Sequence, residues 1–199
     1  MQFILLLLAS IMSGKMGFKD KLLLLAGNLF FVGRMRGGGT LASVLTFLFI
    51  LKYDSIYVVL SIFLLSLLVY KPSLRMILSL EDDKDPKQYV LDEIIGLSFG
   101  ILLTEICILL FQSSTSNLFD IYDRSLVLGI IFIFFRLFDI FKPVPVKWID
   151  QPKSVPESIK NLSIFKEERA LFRVIADDLV AGFMAFLVLV LISLYLVTG

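Results

Sequence analysis

The chain has 199 residues, of which 58% are hydrophobic and 19% charged, and its formal net charge is +1. This apolar content excludes a disordered chain, a single cysteine excludes a disulfide scaffold, and the near-zero charge gives no basic surplus for nucleic-acid binding. The absence of histidine excludes Ser-His and Cys-His nucleophile pairs, phosphohistidine chemistry and the commonest zinc ligand.

Three short apolar runs come first in the chain. The run at residues 3–12 lacks the basic start and the cleavage pattern of a signal peptide, so it predicts a retained helix that is partly buried or interfacial. The runs at 22–32 and 41–51 would each reach about 17 Å, whereas the hydrocarbon core of a membrane is about 30 Å thick. Each is therefore predicted to be a tilted, partial or re-entrant segment, unless loop residues extend it.

Four longer apolar stretches follow, at residues 55–70, 94–111, 125–141 and 179–197. A membrane-spanning helix needs about 17–25 apolar residues, a length that the last three reach and the first nearly reaches. The sequence therefore predicts an all-α, polytopic integral membrane bundle with about four to six membrane-embedded helices. It forms a single domain over residues 1–199.

The charged residues predict the orientation of these helices. More than half of them lie in residues 71–93 and 142–178, which are rich in Lys and Arg, whereas 112–124 holds a single basic residue. The positive-inside rule then places the first two segments in the cytoplasm and 112–124 outside. Counting back, the turn at 52–54 is outside and the loop at 33–40 is cytoplasmic, so the charge-rich loops share one face.

A glycine-rich loop with two arginines covers residues 33–43. Gly38 and Gly39 allow a close backbone approach to a ligand, and Thr40 and Ser43 add hydroxyl groups. Such a loop before a helix N-terminus suits a phosphate. The alternative is a flexible turn whose arginines only follow the positive-inside rule.

Two acidic pairs stand where apolar helices begin. Adjacent carboxylates such as Asp92 and Glu93 provide oxygen ligands for Mg²⁺, although negative charge at a helix N-terminus is also favourable by itself. Asp177 and Asp178 leave the same two alternatives open, and their side chains point about 100° apart, so one of them is expected to face a shared centre. Gly182, one turn beyond Asp178, would allow close helix contact.

Charges also interrupt the helix at 125–141. Arg136, Asp139 and Lys142 follow one helix face down to the interface, and charges in a membrane helix usually mark a site. The alternative is an Arg136–Asp139 pair that reaches out to the membrane surface. Pro143 is expected to end the helix. Glu105 has no sequence-local partner and either bonds another helix or serves a function of its own.

Together, these segments resemble the phosphatidylglycerophosphatase A family, membrane phosphatases of bacterial phospholipid synthesis. The resemblance covers about residues 26–182, with a charged insert at 151–173 before the last motif. The shared features are Gly39-Thr40-x-x-Ser43, Asp85 with Asp92-Glu93-x-x-Gly96, Phe135-Arg136-x-x-Asp139-x-x-Lys142-Pro143-x-Pro145 and Asp177-Asp178-x-x-Ala181-Gly182.

The resemblance implies Mg²⁺-dependent hydrolysis of phosphatidylglycerophosphate to phosphatidylglycerol and inorganic phosphate. It implies a multi-pass protein of the bacterial inner (cytoplasmic) membrane, with the site facing the cytoplasm, a lipid substrate and no nucleic-acid partner. The expected catalytic and metal-binding residues are Asp92, Glu93, Asp139 and Asp178, with Asp177 as a supporting residue or a further ligand. The expected phosphate-binding residues are Gly38, Gly39, Thr40, Ser43, Arg136 and Lys142.

Two questions of mechanism and class stay open at this point. Without histidine the general base must be a carboxylate, unless an aspartyl-phosphate forms. The alternative class is a non-enzymatic membrane protein, a small transporter or an assembly factor, and Glu105 is the one residue that favours it. The absence of visible internal symmetry and the clustering of carboxylates on one face favour the enzyme.

Overall fold

The computed structural model describes residues 17–27, 29, 32–35, 37–80, 89–111, 123–144, 146 and 163–198. This part of the chain contains no strand, and its elements are α1 (Phe18–Gly27), a 3₁₀ turn (Val32–Arg34), α2 (Gly38–Tyr53), α3 (Ile56–Leu80), α4 (Leu91–Phe111), α5 (Arg124–Phe141) and α6 (Ser163–Thr198). The helix predicted at 3–12 lies outside the described residues.

Three helices are long and apolar enough to cross a membrane, at Ile56–Ile77, Leu91–Leu110 and Val174–Leu196. The predicted all-α membrane-embedded bundle is therefore confirmed. The short run at 41–51 is extended at both ends into the 16 residues of α2. This helix is about 24 Å long, which is still shorter than the hydrocarbon core of a membrane.

Helix α4 lies in the middle of the bundle and contacts α2, α3, α5 and α6. Its side chains Leu97 and Ile101 are fully buried in one apolar cluster with Leu128 and Phe135 of α5. Burying such side chains against neighbouring helices fixes the relative positions of the helix ends. The N-terminus of α4, with its acidic pair, is therefore held in a defined place.

Three glycines bring the backbones of α4 and α6 into direct contact. A side chain at Gly182 would overlap the carbonyl oxygen of Gly96, and one at Gly100 would overlap the backbone of Gly182. A side chain at Gly96 would overlap the backbone of Asp178. The close contact expected at Gly182 is confirmed, and it sets Asp178 beside the first turns of α4.

The two residues before α4 attach its N-terminus to α1 and α3. The Tyr89 hydroxyl donates to the carbonyl of Tyr70 at 2.8 Å and lies 3.1 Å from Ser73 Oγ. Burial raises the pKa of the Tyr89 hydroxyl, so the group stays protonated as a donor. The amide of Val90 donates to the carbonyl of Gly27 at 3.2 Å. Both bonds orient the first turn of α4.

At the other end of the bundle, Glu105 forms an ion pair with the first residue of α5. Arg124 Nε donates to Glu105 Oε1 at 2.8 Å, and Arg124 Nη1 contacts Asp54 Oδ1. Glu105 lies about 18 Å along α4 from Glu93. Glu105 therefore bonds another helix, which was one of the two alternatives that the sequence left open. Asp54 and Arg124 also meet at one end of the bundle, as the predicted orientation requires.

Replacing Arg124 by methionine is expected to destabilise the protein, because it leaves the Glu105 carboxylate, only 11% exposed, without a cation. Breaking a buried ion pair in this way typically costs about 3–5 kcal/mol. The measurement is the thermal unfolding midpoint in detergent micelles. Asp54→Asn is the control, since Asp54 is 69% exposed and should change the midpoint little. Equal midpoints for all three proteins would contradict the structural role of the pair.

Candidate active site

Three of the sequence segments meet at the guanidinium group of Arg136. Its Nη2 donates to Thr40 Oγ1 at 2.7 Å, and its Nη1 donates to Ser43 Oγ at 3.3 Å. The same Nη1 lies 2.7 Å from Asp139 Oδ2 and 3.7 Å from Glu93 Oε1. Arg136 and Asp139 are only 12% and 17% exposed, so this pair within α5 is mostly buried rather than held out at the membrane surface.

The first turn of α2 supplies the glycine and hydroxyl groups of this site. Gly37 precedes the helix with φ 73°, a left-handed conformation that favours glycine. The Ser43 hydroxyl donates to the Gly39 carbonyl at 3.0 Å. A side chain at Gly39 would overlap the carboxylate of Glu93. Glycine is therefore required at this position so that the Glu93 carboxylate can reach the backbone of α2.

Gly38 has a different environment from Gly39. Its amide donates to the Met35 carbonyl at 2.9 Å, and the space beside its Cα is filled by the backbone of Val32 and Gly33. Its role in this arrangement is to fold the loop tightly onto α2. The expectation that Gly38 binds phosphate stays a prediction, and the structure directs the Gly38 amide to another partner.

Carboxylates from three helices gather beside Arg136. Asp92 Oδ1 accepts from the Glu93 amide at 3.0 Å in the first turn of α4. The side chains of Asp139 and Asp178 approach to hydrogen-bonding range, and Asp178 is only 4% exposed. Asp178 also interacts electrostatically with Asp92 and Glu93. Carboxylates this close repel one another unless a cation or a proton lies between them.

Lys142 ends α5 and turns toward α6. Its backbone is left-handed, with φ 41°, and its amide donates to the Phe138 carbonyl at 2.9 Å. Its Nζ donates to Asp177 Oδ2 at 2.7 Å. Lys142 thus caps the helix just before Pro143 instead of continuing the helical face, and the predicted helix end is confirmed.

The two acidic pairs differ in their position along their helices. Asp92 and Glu93 lie in the first turn of α4, where the helix dipole stabilises negative charge. Helix α6 begins at Ser163, far ahead of Asp177 and Asp178. N-terminal capping is therefore wrong as an explanation of the second pair, because its amides lie inside the helix. Residues 165–174, in the charged stretch before this pair, belong to the same continuous helix.

Several buried polar atoms in this group have no hydrogen-bond partner among the described residues, namely Glu93 Oε2, Arg136 Nε and Asp177 Oδ1. Buried polar atoms are satisfied in most proteins, so such atoms indicate a place for a ligand. The donor atoms here are oxygens, which hard cations such as Mg²⁺ prefer. Within the described residues no three donor side chains surround one point as a ready-made metal cluster, and Arg136 and Lys142 neutralise part of the acidic charge.

A comparison with protein families gives one match, to the model described as phosphatidylglycerophosphatase A, over residues 25–193. The chain belongs to the phosphatidylglycerophosphatase A family. It is therefore an enzyme, a phosphoric monoester hydrolase whose substrate class is the lipid phosphatidylglycerophosphate. The family expected from the four motifs is confirmed. Comparisons with curated proteins and with solved structures give no match.

In this phosphatidylglycerophosphatase the structure brings together nearly all of the expected site residues. Those that meet around Arg136 or border it are Gly39, Thr40, Ser43, Asp92, Glu93, Asp139, Lys142, Asp177 and Asp178. Asp85 lies outside the described residues. Sequence reasoning missed Gly100, whose signal is its position four residues after Gly96, a spacing of small residues typical of close membrane-helix contacts.

Proposed function

We propose that the chain removes the terminal phosphate of phosphatidylglycerophosphate with the help of Mg²⁺, as a step of phospholipid synthesis, on the cytoplasmic face of a bacterial inner membrane. The observation that carries the proposal is the position of Arg136. The guanidinium group of Arg136 contacts both hydroxyl groups and carboxylates at one end of an apolar bundle. Such a cation is suited to binding a phosphate ester.

Asp92, Glu93, Asp139 and Asp178 are the residues that would hold Mg²⁺. Their oxygens suit a hard cation, and the buried Glu93 Oε2, which has no partner among the described residues, is free to bind one. Bound Mg²⁺ supplies electrostatic stabilisation of the charge that develops on the phosphoryl oxygens. Asp177, tied to Lys142 through Oδ2, is the supporting residue of this set.

Arg136 and the first turn of α2 would bind the phosphate oxygens. The guanidinium group forms two parallel hydrogen bonds to a phosphate more readily than a lysine does, and the amides at a helix N-terminus favour an anion. Thr40 is exposed and already bonded to Arg136, so its hydroxyl can reach the incoming group. Ser43 is buried and holds Arg136 in place.

In the reaction, the bond between the phosphorus and the glycerol oxygen breaks, and the glycerol oxygen takes up a proton. A water or a carboxylate oxygen forms the new bond to phosphorus, and in the first case a carboxylate accepts the proton of the water. In the second case a water then attacks the phosphorus of the aspartyl-phosphate, which releases inorganic phosphate and restores the carboxylate. Asp92, Asp139 and Asp178 are the carboxylates proposed for either role. Both routes remain part of the proposal.

The surface beside the site supports a lipid as the substrate. Leu137, Ile140 and Phe141 lie on the same turns of α5 as Arg136 and Asp139, and they are 40%, 62% and 74% exposed. Large apolar side chains exposed next to a charged site are suited to contact with acyl chains while the headgroup binds. Glu105, which favoured a transporter, is paired with Arg124 and gives that alternative no support.

The purified protein in detergent micelles is expected to release inorganic phosphate from phosphatidylglycerophosphate when Mg²⁺ is present. Excess EDTA should abolish the release and renewed Mg²⁺ should restore it. Without a cation, the acidic cluster formed by Asp92, Glu93, Asp139 and Asp178 would repel the negatively charged phosphate. The measurement is the phosphate released per unit time. Full activity in excess EDTA would rule out the metal–carboxylate mechanism.

A further inference from the structure

The carboxylate of Glu93 occupies the place on α2 at which a phosphate would bind. A methyl group built on Gly39 would overlap Cδ, Oε1 and Oε2 of Glu93 together, so the carboxylate lies directly against the first turn of α2. The first amides of a helix have no partner inside the helix, and the positive end of its dipole attracts anions. The Glu93 carboxylate therefore lies at a position where a single anion is close to both the first turn of α2 and Arg136.

Glu93 is held there mainly by charge attraction to Arg136, across a long contact. Its Oε1 lies 3.7 Å from Arg136 Nη1, which is beyond hydrogen-bonding distance, and its Oε2 has no partner among the described residues. The same Nη1 lies 2.7 Å from Asp139 Oδ2. Asp139 is thus the tight partner of Arg136, whereas Glu93 can leave without breaking a strong hydrogen bond.

We propose that Glu93 is a displaceable occupant of the phosphate site, which a divalent cation draws away before the phosphate binds. The inference rests on the proposed function, since it assigns the order of binding at that same site. Two anions cannot share the first turn of α2, both because they overlap and because they repel. Arg136 and Lys142 already face Asp139 and Asp177, so a cation from solution is the new partner that Glu93 requires.

The consequence is a coupling between cation and phosphate binding. In the metal-free protein Glu93 competes with phosphate, and in the cation-loaded protein this competition is removed. Coupling between two ligands in proteins typically changes an affinity by about 5–150-fold. Removing the competitor by mutation should therefore reproduce part of the effect of the cation, without any metal present.

The test is a calorimetric titration of the full-length, EDTA-treated protein in detergent micelles with inorganic phosphate. It measures the affinity for phosphate at fixed pH and ionic strength. Glu93→Gln keeps the size of the side chain and removes its charge, and it is expected to bind phosphate at least about fivefold more tightly than the wild type. Glu93→Asp keeps the charge but withdraws the carboxylate from Gly39 by one methylene group, so its affinity should also rise.

The matched control is Asp123→Asn at the start of α5, which also removes one negative charge, lies far from the site and leaves the Glu93 carboxylate in place. Its metal-free phosphate affinity should stay close to that of the wild type. An equal rise in Asp123→Asn and Glu93→Gln, with none in Glu93→Asp, would overturn the proposal in favour of a general charge effect. The thermal unfolding midpoint shows whether each variant is folded. If Glu93→Gln does not fold, the phosphate affinity of Glu93→Asp tests the proposal by itself.

The result is independent of the hydrolysis assay. The proposed function fails if the wild type with Mg²⁺ releases no phosphate from the lipid. The present inference fails if neither Glu93 variant gains affinity for inorganic phosphate in EDTA, whatever the hydrolysis assay shows. A gain in both Glu93 variants, with none in Asp123→Asn, supports Glu93 as the occupant of the site.

Discussion

Arg136→Lys is expected to lower kcat/KM for the lipid phosphate by about 10²–10³-fold, the effect typical of losing one donor that stabilises the transition state. A lysine keeps the positive charge, but its single ammonium group cannot replace two separate nitrogens. In the wild type Nη2 binds Thr40 while Nη1 serves Ser43 and Asp139. Since the planar guanidinium group matches phosphate oxygens, the substitution is not conservative here. Phosphate release from the lipid in micelles measures the effect.

A matched control exists at the opposite end of the same helix. Arg124→Lys also keeps its charge, and its partners Glu105 and Asp54 lie far from the acidic cluster. It should retain the kcat/KM of the wild type. A large activity loss in Arg124→Lys, or none in Arg136→Lys, would contradict the assignment of Arg136 to the phosphate.

The helices could be predicted because their apolar runs are a local property of the sequence. The stretches at 94–111 and 125–141 correspond closely to α4 and α5. The start of α6 could not be predicted in this way, because hydropathy identifies only the membrane part of a helix. Residues 163–173 are rich in charge, yet Lys, Glu, Arg, Ala and Leu are good helix formers, so the helix extends beyond its apolar part.

The sequence predicts which residues belong to the candidate site, but not most of the contacts between them. Residue types and a shared membrane face bring Arg136, Asp139 and Glu93 into one hypothesis. The spacing of three residues in α5 already suggests the pair of Arg136 with Asp139, whereas the contacts of Arg136 with Thr40 and Glu93 depend on how α2, α4 and α5 pack. For the same reason Gly38 and Gly39 look equivalent in the sequence, although one folds the loop and the other admits Glu93.

The partner of Glu105 illustrates the same limit of local reasoning. A buried carboxylate in an apolar helix needs a cation or a function, and the sequence alone leaves both open. The decision depends on Arg124, which belongs to a different helix and meets Glu105 only after folding. The predicted orientation placed the start of α5 and the turn at 52–54 on one side, but it did not report which side chains meet there.

Asp139→Asn is expected to lower phosphate release by about 10²–10⁴-fold, the range typical of losing an acid–base group. Asparagine keeps the shape of the side chain and still accepts a hydrogen bond from Arg136, but it can neither take up a proton nor neutralise a cation. The loss should appear in kcat for the lipid substrate at saturating Mg²⁺. The control is Asp123→Asn at the exposed start of α5, because asparagine is also a good N-cap and the acidic cluster is distant.

The stability of Asp139→Asn separates a role in chemistry from a role in packing. The variant weakens the 2.7 Å ion pair with Arg136, which lowers stability, and it removes one charge from the contact with Asp178, which raises stability. These effects oppose each other, so the free energy of unfolding should change by less than the roughly 3–5 kcal/mol that breaking a buried ion pair typically costs. An inactive protein with an unchanged midpoint assigns Asp139 to the reaction. An active one, or an inactive one that unfolds early, would contradict that assignment, because the carboxylate would then be dispensable or serve mainly to hold α5 in place.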